Sequence, residues 1–153
     1  MILHPFIITN RWTGNRGNGT TAADAYDRHH TVSIENKVDI LCSSDPHFRG
    51  DGTKHNPEDL FVASLSTCHM LWYLHLCADA GVIVTEYIDK ASGILDLDAG
   101  KFSSVTLHPE VIVADNSMIG KAIELHKAAH KKCFIANSCN FEVGHEATVI
   151  ARP

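Results

Sequence analysis

The segment from Asn56 to Gly81 constrains the fold more than any other, because it reads as one long helix that is apolar almost all the way round. Asn56 suits the N-cap, Pro57 the first helical position, and Glu58 and Asp59 put negative charge at the positive end of the helix dipole. Leu60, Phe61, Leu65, Cys68, Leu71 and Trp72 recur near a 3.6-residue period, and Val62, Met70, Tyr73, Leu74 and Leu76 widen that face. Such a helix belongs in the middle of a protein or of an oligomer. Gly81 is the natural stop, since glycine accepts the left-handed conformation that ends many helices. His69, His75, Asp79, Ser64, Ser66 and Thr67 interrupt the apolar run, which a bilayer-spanning helix rarely tolerates, so the expectation is a buried helix and no membrane.

Around this helix the pattern is mostly strand. Residues 3–12, His30–Ser33 and Val38–Cys42 are strand candidates, with a glycine-rich loop at Thr13–Thr20 and a Ser, Asp, Pro and Gly-rich loop at Ser43–His55. After the helix come Val82–Val84, Lys90–Leu97 and Ser104–Val113, the last two joined by a hairpin turn at Asp98–Lys101. A second helix opens at Ser117 and runs to about Lys132, ending in basic residues as the dipole prefers, and Phe141–Ile150 is a last strand. Strands, helix, strands, helix, strand define an α+β fold. The 153 residues carry no repeat or linker and are expected to form one domain, 1–153, large enough to bury roughly 70% of its unfolded surface.

The formal charge of −5 and the scatter of Lys and Arg leave no basic stripe, which argues against a nucleic acid partner. Met1–Phe6 lacks the basic flank and long apolar core of a secretory signal, so a cytoplasmic location is the default expectation. Five cysteines at irregular spacing do not make a disulfide framework. In a reducing compartment their chemistry is expected to be transient and catalytic.

Cys68, in the middle of the apolar helix, and Cys133, just after the second helix, suggest thiol redox chemistry if the fold brings them together. The thiolate is the form that attacks, and an apolar helix by itself disfavours it. Cys68 therefore needs a cation. Arg16, in the glycine-rich loop, is a candidate, with Arg11 close by, and Glu58 could hold the guanidinium fork. Ten residues of regular helix separate Glu58 from Cys68 by about 15 Å. Either the start of the helix bends back or Glu58 approaches the Cys68 of a second subunit, and the uncovered helix favours a homodimer. Cys139, across a turn from Cys133, is an alternative partner thiol. Among eleven histidines, His126 and His130 share a helix face with Cys133, which raises a metal-binding reading; a third reading is a dimeric cleft for a small hydrophobic ligand.

The chain resembles the OsmC/Ohr family, the osmotically inducible and organic-hydroperoxide-resistance proteins. The resemblance rests on Asn-Pro-Glu-Asp-Leu-Phe-Val-Ala-Ser-Leu-Ser-Thr-Cys at 56–68, on Arg16-Gly17-Asn18-Gly19-Thr20 after Trp12-Thr13-Gly14, and on a second cysteine following a helix. It implies an intertwined α+β homodimer and a thiol peroxidase acting on organic hydroperoxides. Cys68 would be the peroxidatic residue, Cys133 its disulfide partner, and Arg16 with Glu58 the activating pair. An external dithiol would reduce the disulfide, and no metal or organic cofactor is required. Where the family commonly has Pro and a small polar residue after the second cysteine, this chain has Phe134-Ile135-Ala136-Asn137-Ser138.

Overall fold

The computed structural model describes residues 1–152, and the chain divides into two compact units, Met1–Leu60 and Phe61–Pro153. In the first unit β1 (Thr9–Trp12), β2 (His30–Ser33) and β3 (Ile40–Cys42) form an antiparallel sheet in that order. The first strand is shorter than residues 3–12 because its partner ends: Thr9 faces Ser33, and beyond Ser33 the chain turns, with the Lys37 N–H bonded to the Ile34 carbonyl. Between β1 and β2 the glycine-rich segment makes a closed side loop. Asn15 Oδ1 accepts the N–H groups of Gly17 and Gly19 at 2.8 and 3.0 Å, and these glycines take the positive φ values that the sequence implies, +118° and +57°.

Helix α1 (Pro57–Asp79) begins and ends as its residue types dictate. Asn56 Oδ1 accepts the Asp59 N–H at 2.7 Å. At the other end Gly81 has φ +71°, its N–H reaches the Ala78 carbonyl, and the Val82 N–H reaches the Cys77 carbonyl at 2.8 Å. This pair of bonds is the Schellman arrangement, and it takes Val82 out of the following strand. That strand, β4 (Val84–Asp89), accordingly starts later than Val82 and runs further than Val84.

The long strand-like runs of the sequence each break in the second unit. Ser104–Val113 is two strands, β6 (Lys101–Leu107) and β7 (Pro109–Val113), because Pro109 has no N–H to continue the ladder. Lys90–Leu97 narrows to β5 (Ser92–Asp96), and Phe141–Ile150 resolves into β8 (Val143–His145) and β9 (Thr148–Ala151). The result is two three-stranded sheets of the same design, β4-β7-β9 and β5-β6-β8, each with one antiparallel and one parallel pairing. Asp89 fixes the break: its Oδ1 accepts the His108 N–H at 2.7 Å and its Oδ2 accepts the Ser66 hydroxyl from α1. Helix α2 (Ile119–Lys132) starts two residues after Ser117, which lies in a short 3-10 turn.

Leu65, His69, Tyr73 and Cys77, four residues apart along α1, are its buried stripe. Leu65 joins a cluster with Val105, Leu107 and Val143, while Tyr73 and Cys77 pack with Val111, Val113 and the α2 residues Ala122, Leu125 and Ala129. The opposite face, including Leu71 at 59% exposure, is uncovered in the single chain. By length and composition alone α1 could cross a bilayer, yet its buried stripe is packed against strands and a second helix.

Candidate functional site

Two sulfurs from different elements meet in the second unit. Cys68 lies on α1 beside the buried stripe and is partly exposed, whereas Cys133, the first residue after α2, is buried. Burial, followed by a side-chain hydrogen bond with the Cys68 thiol, raises the Cys133 pKa above its ordinary value. Cys133 therefore stays protonated at neutral pH. Its Sγ also accepts the Ala136 N–H at 3.4 Å, which anchors the sulfur to the turn that follows α2. Cys139, in the same turn, directs its thiol to the Ile135 carbonyl at 3.3 Å.

Cys68 opens onto a cavity of about 370 Å³ lined by Leu71, Trp72, His75 and Phe134. Residues 68, 71, 72 and 75 belong to one face of α1 by helical spacing, and Phe134 closes over them from the end of α2. The Trp72 and Phe134 rings meet edge to face, centroids 5.6 Å apart.

Behind the thiols stands a group of imidazoles. His69 Nε2 and His126 Nδ1 are 3.0 Å apart in a buried hydrogen bond, and His126 stacks on Tyr73 with centroids 3.9 Å apart. His145 lies beside both, and His130 beside His145. Burial lowers the His69 pKa to about 4 and that of His126 to about 3, reinforced by the neighbouring imidazoles, so both are neutral at pH 7. This arrangement overturns the metal reading of His126, His130 and Cys133. Although they share a side of α2, His126 is bonded to His69, His130 lies against His145, and Cys133 is bonded to Cys68. Among the described residues no three His, Cys, Asp or Glu side chains converge as a ligand set.

The other two residues singled out by sequence lie in the first unit. Arg16 is exposed in the glycine-rich loop, bonded to the Asp24 carbonyl and 3.8 Å from the Asp27 carboxylate. Glu58 is in the first turn of α1, where its Oε2 is buried and has no hydrogen-bond partner among the described residues. Arg11 is on β1 opposite Thr31. The fold thus brings Cys68 and Cys133 together, and α1 carries Glu58 ten residues from Cys68. Sequence reasoning missed Asp89 and the bonding of His69 to His126. The i, i+4 stripe Leu65, His69, Tyr73, Cys77 is the signal that marks His69 as inward-facing.

Paired thiols at the mouth of an apolar cavity, on two helices set against mixed sheets, define an α+β protein of the OsmC-like class. The OsmC-like protein family model matches residues 50–146, and the chain belongs to that family. It is similar to an OsmC-like protein of unknown function from Vibrio cholerae O1 biovar eltor, with 32% identity and a TM-score of 0.85 over 95% of this chain and 100% of that one. The fold is shared with the organic hydroperoxide resistance protein OhrB of Bacillus subtilis, at 21% identity and TM-score 0.60 over 93% and 96% of the two chains. It is shared also with an organic hydroperoxide resistance protein from Legionella pneumophila, at 16% identity and TM-score 0.66 over 97% and 98%. No curated protein matches the sequence.

Proposed function

We propose that this chain is a cysteine-based peroxidase that reduces organic hydroperoxides, with Cys68 as the peroxidatic residue and Cys133 as its disulfide partner. The observation that carries this reading is the bonded thiol pair, one sulfur open to an apolar cavity and the other buried and protonated. Cys68, as the thiolate, attacks the distal peroxide oxygen; the O–O bond breaks, an S–O bond forms, and the alkoxide takes a proton and leaves as an alcohol. The Cys133 thiol then attacks the Cys68 sulfenic acid, forming the disulfide and releasing water. An external dithiol returns two electrons and two protons by exchange. The apolar lining favours substrates with a hydrocarbon body, and the dithiol requirement suits a cytoplasmic setting.

Arg16 and Glu58 complete the reading as the pair that favours the Cys68 thiolate, and we assign them to act across a homodimer. The unpartnered Glu58 Oε2 supports this, because a buried carboxylate oxygen calls for a donor such as a guanidinium. So does the separation of about 15 Å along α1 between Glu58 and Cys68.

Peptide mapping under non-reducing conditions after a stoichiometric dose of an alkyl hydroperoxide tests the chemistry. The expected product is a Cys68–Cys133 linked peptide pair, lighter by two hydrogens than the free peptides. It is absent in Cys68→Ser, and Cys133→Ser accumulates a trappable sulfenic acid on Cys68. Both thiols remaining free in the wild type would exclude the mechanism.

A further inference from the structure

We propose that Lys132 makes the Cys68 cavity selective for hydroperoxides that carry a carboxylate on an apolar chain, an assignment that rests on Cys68 being the peroxidatic residue. The cavity, about 370 Å³, is of a size that holds small amphipathic ligands, and its walls are Leu71, Trp72 and Phe134. Lys132 Nζ stands over the Trp72 ring, 5.1 Å from its centroid, so an ammonium group borders the apolar wall. Lys54, Lys90 and Lys121 are paired with carboxylates, but Lys132 has no acidic partner among the described residues. His75, the other basic side chain at this cavity, is engaged with Asp79 at 3.4 Å. The free cation is therefore on the Lys132 side.

Trp72 follows Cys68 by one turn of α1, about 6 Å along the axis. A bound chain can thus present a peroxide to Cys68 and an anionic group to Lys132 while its hydrocarbon covers Trp72 and Phe134. The net charge of −5 makes the chain as a whole unattractive to anions. A local cation is needed for an anionic substrate to be preferred. Phe134, 69% exposed and immediately after the buried thiol, extends the apolar wall where the chain differs from the common family sequence.

The test has two readouts. In the first, kcat/KM is compared for a medium-chain fatty-acid hydroperoxide and its methyl ester. The acid is preferred by the wild type, and the acid-to-ester ratio falls about threefold in Lys132→Gln, is kept in Lys132→Arg, and shrinks with added salt. In the second, quenching of Trp72 fluorescence in a Trp12→Phe background reports binding of decanoate and of decanol without any turnover. Decanoate binds more tightly than decanol, and Lys132→Gln removes the difference. Equal turnover of acid and ester together with equal binding overturns the selectivity and leaves the peroxidase reading standing. Lys132-dependent decanoate binding with neither hydroperoxide consumed supports the site and overturns the peroxidase reading instead.

Discussion

His69 and His126 show how a pair of titratable side chains can be held neutral by the surrounding fold. Each ring is almost fully buried, each has one nitrogen bonded to the other ring, and His69 Nδ1 and His126 Nε2 have no partner among the described residues. An added proton would place charge among apolar groups and beside His145 and His130. The folded-state pKa values therefore lie below the ordinary imidazole value, and the unfolded chain binds more protons in between. Stability is at its plateau above about pH 6.5 and falls as pH drops from there toward 4, by up to about 1.4 kcal/mol per pH unit for each imidazole. Urea unfolding midpoints measured from pH 7.5 to 4.5 should trace this decline. His126→Phe, which keeps a ring on Tyr73, should flatten the slope while lowering stability at pH 7.5, because His69 then loses its partner, at a cost of about 1–3 kcal/mol. A slope unchanged in that variant would show that other groups govern the acid response.

At the scale of elements, Asp89 decides how the long strand runs fold. One carboxylate accepts the His108 N–H, where the β6–β7 ladder is interrupted, and the Ser66 hydroxyl on α1, so it couples the break in the sheets to the helix that carries Cys68. Asp89→Ala leaves a part-buried N–H unpaired and should lower unfolding stability by about 1–3 kcal/mol, seen as a shift of the urea midpoint at constant slope. Asp89→Asn retains an acceptor and should lose less. The same example explains what the sequence made legible. Helix ends were readable because caps are local: Asn56, Pro57 and Gly81 act within a few residues of themselves. Strand breaks were not, because Glu146 interrupts β8–β9 by donating its N–H to the Leu107 carbonyl, a partner far away in sequence. For the site, Cys68 and Cys133 were legible as residues. Their pairing depends on how α1 and α2 pack, and the inward set of His126 depends on His69, 57 residues away.

The molecule as a whole leaves unfinished business at three places in a single chain: an uncovered apolar face on α1, exposed Ile2, Leu3, Phe6, Ile7 and Ile8 before β1, and the lone buried oxygen of Glu58. Apolar surface of this extent on a small protein marks an interaction site, and a two-fold dimer is the commonest way for identical chains to cover it. Sedimentation should therefore give a mass twice that of the chain. Whether Arg16 serves the Cys68 of its own subunit or of the other is decided by mixing two inactive variants, Cys68→Ser and Arg16→Ala, after reversible unfolding. If the arginine acts across the dimer, each mixed dimer holds one complete site, an intact Cys68 from one chain with an intact Arg16 from the other. Random pairing makes half the dimers mixed, so about a quarter of wild-type peroxidase turnover should return. If the arginine acts within its own chain, every site in the mixed dimer lacks one of the two residues and no turnover returns, which would place the activating cation in the same subunit as the thiol it serves.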